Sequence, residues 1–118
     1  MLKKLLILSV ILQNTILALE YEKQLENESV IVSLIKIMPQ EEIGLHYDIF
    51  PQVVFALQGG KITRLEADGS TTDVEFPTQQ AVFRPSEDES KIHRSVNNGS
   101  DAIELIIVQL KNQLTKNP

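Results

Sequence analysis

The 118-residue chain contains no cysteine and no tryptophan, and 5% of its residues are aromatic. Without cysteine there are no disulfides, no thiolate nucleophile and no zinc site built on thiolates. The few aromatic residues and the net charge of −5 also argue against nucleic-acid binding, which needs a basic surface and, for single strands, stacking platforms. We therefore predict no nucleic-acid partner.

The first 18 residues have the features of a secretory signal. A short basic start, Met1 to Lys4, precedes an uncharged and mostly apolar run over residues 5–19. At about 1.5 Å of rise per residue this run spans roughly 22 Å, less than the roughly 30 Å of a bilayer core. We predict cleavage after Ala18 and export, to the periplasm or as a secreted protein, with no stable membrane anchor after cleavage. The alternative is an amphipathic or buried N-terminal helix of a protein that is not exported.

The rest of the chain has the pattern of an all-β domain. Short runs rich in valine and isoleucine alternate with turn residues, as in a sandwich or barrel. The pattern predicts strands over residues 30–38, 45–48, 53–58, 61–66, 72–76, 81–84, 92–96 and 103–111. Residues 19–28 are predicted to form an N-terminal arm or short helix, residues 29–111 the barrel, and residues 112–118 a frayed tail.

Two further patterns predict where the chain turns and which strands are covered on both faces. Gly59-Gly60, Asp68-Gly69 and Asn98-Gly99 predict two-residue hairpin turns, which require positive φ. Runs 53–57 and 103–108 are almost continuously apolar, as expected of strands covered on both faces by a second sheet or another subunit. A homodimer is therefore a candidate assembly.

His46 and Asp48, one residue apart, and the distant His93 are the candidate functional residues. They fall on or beside predicted strands, and two imidazoles with one carboxylate can hold a divalent metal ion while leaving open positions for a ligand. The chain has two histidines, and both belong to this set. The pattern predicts a pocket with iron, manganese, nickel or zinc as the candidate ion, a small-molecule ligand as partner, and no organic cofactor.

Two spaced motifs carry a resemblance to a known family. The first motif runs from a glycine through His-x-His and a glutamate to a second glycine, and its spacing is matched by Gln40, His46, Asp48, Gln52 and Gly59. The second runs from a glycine through Pro-x-Gly and a histidine to an asparagine, and is matched by Gln79, Pro85, His93 and Asn97 with a loop three residues longer after the proline. From Leu25 to Lys111 the chain thus resembles a small single-domain cupin, which is a double-stranded β-helix or jelly-roll barrel.

The resemblance implies a metal site inside the barrel. The four ligand positions of the family are occupied here by His46, Asp48, Gln52 and His93. Asp48 stands in place of the family's second histidine, and Gln52, in place of its glutamate, offers only a neutral carbonyl oxygen. Arg84 and Asn97 are candidate ligand-binding residues.

Other polar residues near these motifs have simpler interpretations. Arg64, like Arg84, could neutralise an acidic ligand, although a surface ion pair is the more frequent fate of an arginine. The acidic residues 87–89 are interpreted as a solvated turn. Tyr47 is expected to point away from His46 and Asp48, because side chains alternate along a strand.

Three functional hypotheses follow. The first is an exported cupin-like domain that binds a small ligand, with a divalent metal ion as a candidate participant, and without demonstrable catalysis. The second is a metal-dependent enzyme, an oxygenase or isomerase, that uses the His-x-Asp and distant His site. The third is a structural or interaction domain with a vestigial site, in which the histidines are hydrogen-bonded like any semi-buried polar group.

Overall fold

The computed structural model describes residues 4–7 and 18–111. Its strands are β1 Lys4–Ile7, β2 Ala18–Glu26, β3 Val30–Ile37, β4 Glu42–His46, β5 Gln52–Gln58, β6 Gly60–Glu66, β7 Thr71–Phe76, β8 Ala81–Arg84, β9 His93–Val96 and β10 Ile103–Leu110. One 3-10 turn, Glu89–Lys91, lies between β8 and β9. No helix in the described ranges has the length and apolar character to cross a membrane. Most of the predicted signal segment and the predicted tail, 112–118, lie outside the described residues.

Two antiparallel sheets form the domain. The first has the strand order β1-β2-β3-β10-β5-β8, and the second has the order β4-β9-β6-β7. Apolar side chains from both sheets make one buried core, whose members are Ile35, Ile37, Val54, Ala56, Ile62, Phe76, Ile103 and Leu105. The predicted all-β double sheet is confirmed.

The eight predicted strands are present, all but 81–84 with shifted ends, but the prediction for residues 19–28 was wrong. This segment is most of β2, which pairs with β3 from Glu20 opposite Lys36 to Glu26 opposite Ile31. Its many charged residues suggested an unpaired arm, but a strand with one face exposed to solvent can carry charged side chains on that face. Asp48 also differs from expectation, since β4 ends at His46 and Asp48 lies in the loop that follows.

The turn predictions were partly wrong. Gly69, with φ of +92°, lies in the hairpin loop between β6 and β7, as expected, but this loop is residues 67–70 and not the predicted two-residue turn. By contrast, Gly59-Gly60 and Asn98-Gly99 each carry the chain from one sheet to the other. Neither Asn98 nor Gly99 has positive φ. Gly59 is required for a different reason: a Cβ there would lie 1.8 Å from the Phe76 carbonyl oxygen.

The outer face of the six-stranded sheet carries an apolar patch. Val53 lies opposite Val108 and Phe83, and Phe55 lies opposite Ile106. These side chains alternate with the buried ones and so face away from the core. Phe83 is 60% exposed. The second sheet covers only the inner face, so the apolar pattern of the outer face is not explained by the described part of the chain.

Candidate metal and ligand site

The two histidines meet at one place in the fold. His46 ends β4, His93 begins β9, and the two residues lie directly opposite each other in the ladder. Their ring centroids are 4.3 Å apart, with 56° between the ring planes. Both rings line the cavity between the sheets. The structure therefore brings together two imidazoles that are far apart in the sequence.

Backbone carbonyls orient both rings. His46 Nδ1 lies 2.6 Å from the Gly44 oxygen, and His93 Nδ1 lies 2.8 Å from the Lys91 oxygen. A carbonyl only accepts, so each of these bonds requires a proton on Nδ1 and leaves the lone pair on Nε2. Burial lowers the pKa of His46, and the bond to Gly44 opposes this shift only in part. Near neutral pH its uncharged form, the one that can bind a metal ion, is thus favoured.

Glu87 is a site residue that the sequence interpretation missed. Its carboxylate accepts hydrogen bonds from the Asp48 backbone N–H at 3.1 Å and from the Arg64 guanidinium at 2.9 Å. One oxygen also lies 3.8 Å from His93 Nδ1, and the side chain is 13% exposed. The solvated turn predicted for residues 87–89 is therefore wrong at its first position, while Asp88 and Glu89 are exposed as expected.

Opposing influences set the charge of this cluster. Burial raises the pKa of Glu87, but the Asp48 N–H and the Arg64 guanidinium outweigh it, and the pKa lies below its ordinary value. Burial would lower the pKa of Arg64, but Glu66 and Glu87 outweigh that effect and raise it. Glu87 is therefore an anion, and Arg64 a cation, at neutral pH.

Asp48, Glu87 and His93 form a donor cluster that fits a divalent ion. One ligand atom from each residue lies within 4.8 Å of the others. Donors about 2.1 Å from an octahedral ion are separated by roughly 3 to 4.2 Å, so small side-chain adjustments suffice. Two carboxylates and an imidazole suit manganese, iron or zinc. Of the four predicted ligands, this cluster contains Asp48 and His93, and the ring centroid of His46 lies 4.3 Å from that of His93.

Arg64 contributes a competing interaction. Its guanidinium lies 2.9 Å from His93 Nδ1, in addition to its ion pairs with Glu66 and Glu87. An arginine only donates, so this contact requires an unprotonated Nδ1 and excludes the bond to the Lys91 oxygen. The geometry is compatible with either tautomer of His93, and only the one bonded to Lys91 leaves Nε2 free as a ligand. Arg64 forms a buried ion pair and not the predicted surface pair.

The cavity beside these residues lies between the sheets. Its volume is about 110 Å³, below the roughly 300 Å³ at which sites for drug-sized ligands begin, so it suits only a small ligand. Apolar side chains of the core make most of the wall, and the polar residues that line it are His46, Asp48, Gln52, Arg64, Arg84, His93 and Ser95. Tyr47 does not line this cavity, but it lines a second hollow that shares His46, Asp48 and Gln52 with the first.

Asn97 has a structural position instead of the predicted contact with a ligand. It is fully buried and is not among the residues that line the cavity. Its amide nitrogen donates to the Ile37 and Asp101 oxygens, both at 2.9 Å, and its oxygen accepts from the Gly99 N–H. These bonds stabilise the connection between β9 and β10, and they use both the amide nitrogen and the amide oxygen of Asn97.

Comparison with solved structures identifies the architecture. A cupin domain from Bordetella pertussis Tohama I has a TM-score of 0.69 and 19% identity over 79% of this chain and 93% of its own. The chain has the cupin fold. An RmlC-like cupin family protein with a double-stranded β-helix fold, from Methanocaldococcus jannaschii, matches with a TM-score of 0.60 and 18% identity over 89% and 93% of the two chains. An RmlC-like cupin from Shewanella frigidimarina gives 0.54 and 17% over 80% and 78%. No protein-family model matches the sequence, and no curated protein is significantly similar to it.

The backbone keeps the conformation of the cupin motifs even at positions where this chain has another residue in place of glycine. Gln40 and Gln79 stand where the two motifs have their first glycine, and they adopt φ of +74° and +63°. Positive φ is the conformation that favours glycine. Gly59, at the last position of the first motif, has no room for a side chain. The cupin backbone is thus kept at three motif positions although only one of them keeps its glycine.

Proposed function

We propose that this cupin domain binds a small ligand in the cavity between its sheets, next to a divalent metal ion held by Asp48, Glu87 and His93. The observation that carries the proposal is the convergence of these three donors within 4.8 Å, two of which, Asp48 and His93, line the cavity. Such an ion would supply a Lewis acid that fixes a polar group of the ligand. In this proposal Glu87 supplies the carboxylate that the cupin motif has at the position of Gln52, although Glu87 lies elsewhere in the chain.

The cluster has features that support metal binding over a chance grouping of polar residues. Glu87 is held in its anionic form, and the same carboxylate ties its loop to the backbone of Asp48. The bond from His93 Nδ1 to the Lys91 oxygen gives the tautomer in which Nε2 can ligate. Arg64 retains Glu66 as a partner when Glu87 turns toward an ion.

Metal titration of four proteins tests the donor set. Isothermal titration with Mn(II), Fe(II), Ni(II) and Zn(II) is performed on the wild type and on Glu87→Gln, His46→Ala and Glu89→Gln. We expect Glu87→Gln to weaken binding at least tenfold, about 1.4 kcal/mol, and the exposed control Glu89→Gln to leave it unchanged. Loss of binding in His46→Ala, but not in Glu87→Gln, would assign the ion to the set His46, Asp48, Gln52 and His93.

A second candidate function is a metal-free ligand-binding barrel. The contact between Arg64 and His93 Nδ1 favours it, because the guanidinium already neutralises Glu87 and occupies the histidine in the tautomer that cannot ligate through Nε2. In that case no ion binds the wild type above an Asp48→Ala/His93→Ala double variant. The same titration therefore separates the two functions. Oxygen consumption or isomerisation that needs added metal and is abolished in Asp48→Ala would extend the first function to an enzyme.

Export and self-association are further proposals. The basic start and apolar run of residues 1–18 support export, and cleavage after Ala18 would remove β1 and leave β2 at the edge of the sheet. N-terminal sequencing of the protein recovered from its producing cells tests this. The uncovered apolar face around Phe55 and Phe83 supports a homodimer, which sedimentation velocity at several concentrations tests.

A further inference from the structure

Arg84 and Gln52 are neighbours that face the cavity, and neither side chain has a partner in the part of the chain that the structure describes. They lie directly opposite each other in the pairing of β8 with β5, and both line the cavity. The side chain of Arg84 makes no hydrogen bond or ion pair within residues 18–111. The other two arginines do: Arg64 pairs with Glu66 and Glu87, and Arg94 with Glu42.

Gln52 provides an independent observation. It is 8% exposed, and its side-chain amide has no hydrogen-bond partner among the described residues. The amide atoms of Gln52 are not fully buried and reach the open space of the cavity, where water or a ligand can bind them. The half-buried guanidinium of Arg84 likewise lacks a counter-ion among the described residues, which costs free energy. The fold places both next to each other on one wall of a cavity. A ligand that supplies acceptor oxygens would satisfy both at once.

A carboxylate is the group whose geometry fits this pair. The planar guanidinium presents two parallel N–H donors that match the two oxygens of a carboxylate, and the amide NH₂ of Gln52 can add a third bond. Phosphate esters are disfavoured because Asp48 faces the same cavity and repels a second negative charge. Apolar side chains make most of the rest of the wall and include Val54, Phe76 and Leu105.

We propose that Arg84 and Gln52 form a carboxylate subsite, and that the ligand is a small monocarboxylic acid whose apolar part lies against the core side of the cavity. The inference rests on the proposed function only in taking the cavity as the ligand site. The metal donor His93 belongs to the four-stranded sheet, whereas Arg84 and Gln52 belong to the six-stranded sheet. The carboxylate subsite and the metal cluster can thus be tested separately.

The experiment measures binding of butyrate and of its neutral isostere butyramide to the full chain in metal-free buffer, by NMR titration. Arg84→Gln removes the charge, Arg84→Lys keeps it, and Arg94→Gln is a matched control at an arginine outside the cavity. We expect butyrate to bind the wild type and Arg94→Gln equally, to bind Arg84→Gln at least tenfold more weakly, and to bind Arg84→Lys with intermediate affinity. Butyramide is expected to bind at least tenfold more weakly than butyrate.

Several outcomes overturn the inference. Equal binding of butyrate and butyramide, or equal binding of butyrate to the wild type and Arg84→Gln, would remove the carboxylate subsite, as would no binding of butyrate at all. A large loss of thermal stability in Arg84→Gln would assign Arg84 a structural role, since removal of an unpaired cation is expected to leave stability unchanged or higher. Metal titration of Arg84→Gln separates the two proposals. Metal binding without butyrate binding rejects only the subsite, and butyrate binding without metal binding rejects only the ion.

Discussion

Replacement of Glu87 by alanine tests whether this residue makes the buried contacts on which the proposed site depends. The change removes the acceptor of the Asp48 backbone N–H and one of the two carboxylates paired with Arg64. A neutral hydrogen bond contributes about 0.5 to 1.5 kcal/mol, and one to a charged group about 1.5 to 3 kcal/mol. We expect a loss of about 2 to 4 kcal/mol at pH 7. A loss of stability near the upper end of this range is expected only if Arg64 also loses its ion pair with Glu66.

The sign of the pH dependence follows from the pKa of Glu87. Burial raises this pKa, but the Asp48 N–H and Arg64 outweigh it and hold it below its ordinary value. A group with a depressed pKa stabilises the folded state fully above its unfolded pKa, about 4.3 for glutamate. That stabilisation is lost as the pH falls through the folded pKa. The difference between the wild type and Glu87→Ala is therefore largest at neutral pH and narrows below about pH 4.

Urea unfolding followed by circular dichroism measures this difference at pH 7, 5, 4 and 3. With a denaturant slope of about 1.5 kcal/mol/M, the expected loss moves the pH 7 midpoint by about 1 to 3 M. Glu89→Ala is the matched control, because Glu89 is an exposed acid of the same loop. If the two variants differ by less than about 0.5 kcal/mol at pH 7, Glu87 is a solvated loop residue and the donor cluster does not exist.

Two other substitutions test the backbone that supports the site. Asn97→Ala leaves the Ile37 and Asp101 oxygens and the Gly99 N–H without their side-chain partner, so urea unfolding should show a loss of about 2 to 4 kcal/mol; a loss below about 1 kcal/mol would contradict this role. Gln40→Gly should be about 0.5 to 1 kcal/mol more stable than Gln40→Ala in thermal unfolding, because Gln40 has a φ of +74°; equal stability would contradict the left-handed backbone.

The sequence by itself determined the strands and the first members of the site. Alternation of apolar residues is a local property, so strand 81–84 was predicted with its observed ends and most others within a few residues. The spacing of His46 and His93 within their motifs was sufficient to predict that the two rings meet. The reason is that motif spacing reflects a backbone path, and the path is kept at Gln40 and Gln79 even where glycine is not.

Only the tertiary structure decided which distant side chains complete the site. In the sequence Glu87 is the first of three consecutive acidic residues and was interpreted as solvent-exposed. Its hydrogen bond to the backbone of Asp48 joins residues 39 positions apart, which a local pattern does not reveal. Gly59-Gly60 specified that the chain changes direction, but not that it passes to the other sheet. The adjacency of Gln52 and Arg84 likewise depends on the register between β5 and β8. Register between distant strands is set by packing of the whole core, which no local pattern encodes.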